Sequence, residues 1–75
     1  MTPRPTLVNG APRRLDAPLP VDALVADLVP AFAADRTARG IAVAVNDAVV
    51  PRSVWASTAV LPGDRVEIVG AVQGG

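Results

Sequence analysis

Cysteine, histidine, tyrosine and lysine are all absent from this chain of 75 residues. Without Cys and His there is no thiol nucleophile, no imidazole base, no Ser-His-Asp constellation and no usual zinc ligand set. The absence of Cys also excludes a disulfide framework, on which a small secreted domain often relies. Aromatics are nearly missing, with Phe32 and Trp55 alone. A core must therefore be built from Val, Leu, Ile and Ala. Long apolar runs are missing too. The start, Met1-Thr2-Pro3-Arg4-Pro5, has no signal-peptide character, and no stretch approaches the roughly 20 apolar residues of a membrane helix. A cytoplasmic protein with no membrane association is expected. Charge excess is the last absence: seven Arg balance seven acids, for a net charge of zero. Arg13-Arg14 is the one basic doublet and reads as a solvated strand face. A domain without a basic cluster lacks the footprint of a nucleic-acid binder.

What remains is a small apolar domain. Half of its residues, 51%, are hydrophobic, so it is globular rather than disordered. Residues 1–5 read as a loose lead-in, 6–70 as the folded domain and 71–75 as a flexible tail. Thr6-Leu7-Val8 is a strand ending in Asn9-Gly10, the pair that best closes a two-residue hairpin because both residues tolerate positive φ. Arg13-Arg14-Leu15 is the expected return strand, with Pro12 marking it as an edge. Ala17-Pro18-Leu19-Pro20 is a connector. Val21, Leu24, Leu28 and Phe32 recur at helical spacing, which predicts a helix from Val21 to Val29. Its start is open, with Asp22 as N-cap or Pro20 at the first helical position. Pro30 ends or kinks it, and the Ala-rich stretch Ala31 to Arg39 adds a turn or two before Gly40.

Ile41-Ala42-Val43-Ala44-Val45 is apolar throughout and reads as a central strand, its branched residues on one face and its alanines on the other. Asn46-Asp47 turns the chain into a short strand, Ala48 to Val50. Pro51 to Ala56 is a helical turn or loop, and Leu61 to Asp64 a turn. Arg65 to Val69 alternates, with Val66 and Ile68 facing one way, and Gly70 begins the departure of the tail. Asn9-Gly10 and Gly63-Asp64 are read as turn chemistry alone. The sum is an α+β domain with one main helix across a mixed sheet of four to five strands.

The end, Ala71-Val72-Gln73-Gly74-Gly75, is the one part with reactive character. Two glycines make a thin strand that can enter a narrow slot in another protein, where the Gly75 carboxylate can be activated. The plain alternative is a frayed terminus. With no lysine, no ε-amine on the same chain can capture an activated tail. Val69, Ala71 and Val72 are candidate docking residues beside the tail, against ordinary sheet packing. Trp55 and Arg52 are candidate partner contacts, against core packing for the indole and a salt bridge for the guanidinium.

Several pieces, in order, resemble the ThiS family of sulfur carriers, which have a ubiquitin-like β-grasp fold. They are Val8-Asn9-Gly10, Val21-x-x-Leu24-x-x-x-Leu28, Gly40 to Asn46, Val50-Pro51-Arg52-x-x-Trp55, Gly63-Asp64-x-Val66-Glu67-Ile68 and Gly74-Gly75. The resemblance runs from about Leu7 to Gly75. Pro20, Thr6 and the stretch Ala31 to Arg39 depart from it. It implies a carrier rather than an enzyme, with no permanently bound cofactor. A ThiF-like enzyme would use magnesium ATP to adenylate Gly75, and a persulfide donor would convert it to a thiocarboxylate. Thiazole synthase, ThiG, would take the sulfur for thiamine biosynthesis. Two rivals stand beside this reading. One is a small subunit of molybdopterin synthase, against which Asn9-Gly10 and Pro51-Arg52-x-x-Trp55 weigh. The other is a β-grasp binding module with an inert tail.

Overall fold

Asn9 and Gly10 take positive φ, 53° and 82°, and close the hairpin of β1 (Thr6–Val8) and β2 (Ala11–Arg13). The computed structural model describes residues 4–70. A two-residue turn leaves no slack, so Val8 pairs with Ala11 and Thr6 with Arg13. This corrects the return strand from Arg13-Arg14-Leu15 to an earlier position. Pro12 is on the outer edge, as its missing N–H requires.

The middle of the sheet is β7 (Arg65–Gly70), parallel to β1 on one side and antiparallel to β4 (Ile41–Val45) on the other. Asn46 and Asp47, with φ of 51° and 69°, turn the chain into β5 (Ala48–Val49). The five strands run in the order β2-β1-β7-β4-β5, a mixed sheet as expected. β7 extends through Gly70, which pairs with Ile41. Gly70, where the departure of the tail is expected to begin, is thus still paired within the sheet. A second pair, β3 (Leu19–Pro20) with β6 (Ala59–Val60), forms where a plain connector was expected.

Helix α1 (Val21–Leu28) starts with Pro20 as its N-cap residue, which is neither of the two starts weighed. Pro20 offers no side-chain cap. The Val21 N–H is satisfied instead by Thr58 C=O at 2.8 Å, and Asp22 lies in the first turn, where the dipole favours an acid. Val29, with φ −119° and ψ 99°, breaks the helix before Pro30, which opens the short helix α2 (Pro30–Ala34). Val21, Leu24 and Val25 are fully buried and Phe32 nearly so. Leu28 is 40% exposed, so it drops out of the predicted stripe and Val25 takes its place. It stands on the last turn of a helix that Pro30 cuts short, against a surface cavity rather than the core. The helical residues close over Val8, Val43, Val66 and Ile68 of the sheet and Val60 of β6 to form one cluster. The branched face of β4 is thus the inward one.

Thr6 is the single buried polar side chain noted among the described residues, at 2% exposure. Its Oγ1 accepts a hydrogen bond from Gly63 N–H at 2.9 Å, joining β1 to the turn before β7. This gives the departure from an apolar residue at this position a structural reason. Thr6→Val keeps the shape but strands that N–H, which costs about 1–3 kcal/mol. Thermal melting should show a loss of at least about 4 °C, and an unchanged melting temperature would contradict the role given to the hydroxyl.

Candidate functional site

The last residues of β7 precede the glycine end in sequence, and the geometry there follows from strand alternation. Val66 and Ile68 point into the core, at 0% and 8% exposure, so Arg65, Glu67 and Val69 point outward. Val69 is 64% exposed. Register places Ala42 beside Val69, Ala44 beside Glu67, and Val49 beside Ala44. Val49 is exposed as well, at 77%. The outer face beside the root of the tail is therefore a low apolar step of Val69, Ala42, Ala44 and Val49, with Glu67 on the same face beside Ala44. Alanines keep it shallow, so another backbone can approach closely. On the inner face, a cavity of about 560 Å³ opens against the same root, between Leu28, Ile41, Ile68 and Gly70, with Arg39 at its wall.

Of the predicted site residues, Val69 is at this root. Ala71, Val72, Gln73, Gly74 and Gly75 lie outside the described residues, as does most of the 1–5 lead-in. Trp55 and Arg52 belong to the helical layer, and the structure does not bring them to Val69. Trp55 sits on a 3-10 helix (Arg52–Ser57) and is 2% exposed. Its Nε1 donates to Val50 C=O at 2.9 Å, and its ring meets Phe32 edge-on at 5.6 Å. This is the arrangement a buried indole needs. Arg52 finds no carboxylate within salt-bridge range among the described residues, which corrects the expected ion pair. It lies over the Trp55 ring at 4.7 Å and the Phe32 ring at 4.9 Å, and donates to Arg36 C=O at 2.7 Å. Two rings packed together offer a cation more than one acid on the surface would.

The loop after α2 is ordered by Asp35. Its Oδ1 accepts from the Thr37 hydroxyl at 2.6 Å and the Thr37 N–H at 2.9 Å. Those hydrogen bonds, with the Arg52 charge adding to them, hold the Asp35 carboxyl below its ordinary pKa. A depressed carboxyl pKa stabilises the fold above the unfolded value and loses that contribution as pH falls through the folded one.

Sequence reading missed the part played by Asn9. Beyond shaping the turn, its side chain reaches β7: Oδ1 accepts from Ile68 N–H at 2.8 Å and Nδ2 donates to Ile68 C=O at 3.1 Å. Asn46 does the like at the other end, where its Oδ1 accepts from Arg65 N–H at 2.9 Å and its Nδ2 donates to Asp64 at 3.0 Å. Asp64 in turn accepts from Leu61 N–H at 2.8 Å. The turn residues Asn9 and Asp64 therefore do more than turn the chain. A signal was present in Asn at a positive-φ position, where the side-chain amide can replace a backbone amide.

No described residues form a cluster of three or more acids able to hold a metal. No helix among them is long and apolar enough to cross a membrane.

Comparison with known proteins adds three findings. The model of the ThiS family matches residues 6–75. A crystal structure of a thiamine biosynthesis protein (ThiS) from Geobacter metallireducens superposes with a TM-score of 0.70 at 30% identity, covering 95% of this chain and 99% of that one. A thiazole synthase from Paramagnetospirillum magneticum is 38% identical over 69 residues, which are 92% of this chain and 19% of that protein. The chain thus spans about a fifth of the length of that relative.

Proposed function

The chain belongs to the ThiS family, and from that premise we propose that it is a sulfur carrier for thiamine biosynthesis, with the Gly75 carboxyl as the carrying group. The observation that carries the reading is a family match that continues through Gly74-Gly75 on a chain without cysteine, histidine, tyrosine or lysine. The chemistry follows from what a carboxylate lacks. It is a poor electrophile, so a ThiF-like enzyme with magnesium ATP attaches AMP to it and releases pyrophosphate. The terminal sulfur of a persulfide on a donor protein then attacks the acyl carbon and AMP leaves. A thiol cleaves the resulting acyl disulfide, is itself oxidised to a disulfide, and leaves a thiocarboxylate. That anionic sulfur is the nucleophile delivered to thiazole synthase. This chain supplies no catalytic group; positioning and charge stabilisation belong to its partners. Its lack of lysine and cysteine means that no side-chain ε-amine or thiol of another copy diverts the acyl-adenylate.

The similarity to a segment of a thiazole synthase supports thiamine over the pterin alternative. Capture of purified thiazole synthase by this chain, with no capture of a molybdopterin synthase large subunit, is the expected outcome, and the reverse would overturn the choice. The apolar step around Val69 is the proposed approach surface for both the activating enzyme and the acceptor, and Ala71 and Val72, next in sequence, are further candidate contacts. Arg52 is a candidate contact only on the far layer, where the buried Trp55 ring supports it from beneath. Val69→Glu should lower kcat/KM for the carrier in adenylation by at least about tenfold, a loss of 1.4 kcal/mol. Because Val69 is 64% exposed, its melting temperature should fall by no more than about 8 °C. Unchanged kinetics would remove Val69 from the docking surface.

A further inference from the structure

We infer that Asn9 is a positioning residue for the end of β7: its side chain locks the strand at Ile68, two residues before Gly70, after which the sequence runs on to the carrying carboxyl. The inference rests on the carrier reading for its purpose but on geometry for its substance. In the described chain, β1 ends at Val8 and its ladder to β7 reaches only Val66 through Val8. The Asn9 backbone N–H extends that ladder by donating to Val66 C=O at 2.9 Å. The Asn9 side chain extends it once more, by engaging both the N–H and the C=O of Ile68. A side-chain amide here stands in for a further residue of β1 that the hairpin turn has taken away. Without it, Ile68 loses the two hydrogen bonds that its N–H and C=O make to Asn9 on the β1 edge.

The two outer strands of the arrangement differ in consequence. Asn46 holds Arg65, where β7 begins. Asn9 holds Ile68, two residues before the end of β7 at Gly70. Both asparagines sit at positive φ, where glycine is tolerated. Each can therefore be replaced by glycine with its turn preserved and its side-chain hydrogen bonds lost. Asn46→Gly serves as a matched control: the same strand loses comparable bonds at the end away from the tail.

The test pairs Asn9→Gly with Asn46→Gly in two measurements. In amide hydrogen exchange, Asn9→Gly should speed exchange at Ile68, Val69 and Gly70 by at least tenfold over the wild type, and Asn46→Gly should not. In ATP–pyrophosphate exchange with the ThiF-like enzyme, well below both melting temperatures, Asn9→Gly should raise KM for the carrier at least threefold with kcat little changed. Asn46→Gly should leave KM alone even if its melting temperature falls as far. Unchanged protection of Ile68 to Gly70 in Asn9→Gly would overturn the lock. Equal KM values for the two variants would overturn its positioning role, leaving only stability. Absence of exchange activity with the wild-type chain would instead refute the carrier reading, and hydrogen exchange would then decide the lock by itself.

Discussion

Deleting Gly75 is expected to abolish thiocarboxylate formation while moving the melting temperature by no more than about 4 °C. Every buried apolar residue of the described chain lies between Val8 and Ile68, so the deletion takes nothing from that core. Extending the chain past Gly75 should be as damaging, because it replaces the reacting carboxyl with a peptide bond that ATP-dependent adenylation does not attack. Gly74→Val tests the complementary demand for a thin approach. It keeps the carboxyl but adds a branched side chain where a narrow slot admits none, and adenylation should fall by orders of magnitude. Intact mass after reaction measures all three, and calorimetry measures the fold. A large loss of melting temperature on deleting Gly75 would contradict a division between inert body and reactive end.

The largest effect on the fold is expected at Trp55. Replacing a buried indole by alanine costs about 3–5 kcal/mol, against a total stability of about 4–11 kcal/mol for a domain of this size. Trp55→Ala also strips Phe32 of its edge-on partner, frees Val50 C=O and removes one of the two rings under Arg52. Melting should fall on the order of 15–30 °C, enough to leave the variant partly unfolded at 37 °C. Trp55→Phe keeps most of the apolar contact and loses the Nε1 hydrogen bond, so it should cost only about 1–2 kcal/mol. If Trp55→Ala melted within a few degrees of the wild type, the packing account of this corner would be wrong.

Local chemistry made much of this fold legible. Asn9-Gly10 announced a hairpin because positive φ is rare elsewhere, and the run from Ile41 to Val45 and the alternation from Arg65 onward announced the two long strands. Pro30 marked the end of α1 within one residue. What stayed hidden depends on partners distant in sequence. Leu19–Pro20 becomes a strand only because Ala59–Val60 lies beside it. Gly70 belongs to β7 because Ile41 pairs with it. Leu28 obeys helical spacing yet faces a cavity, since periodicity gives an angle around the helix but not where the core stops. Arg52 prefers two aromatic rings to an acid, which only their juxtaposition allows. Asn9 was read as half of a turn, and its grip on Ile68 spans 59 residues. The site divides in the same way. Glycines at the end of the chain could be seen in composition, whereas the apolar step around Val69 required the register of β7 against β4.

The most direct test is the mass of the C-terminal peptide after the full chain is incubated with a ThiF-like enzyme, magnesium ATP, a persulfide donor and a reducing thiol. The peptide ending in Gly74-Gly75 should gain the mass of one sulfur-for-oxygen exchange, dependent on ATP, and lose it again when thiazole synthase and its substrates are added. A peptide that keeps its unmodified carboxylate, under conditions that load a known carrier of this family, would contradict the claim that Gly75 carries sulfur.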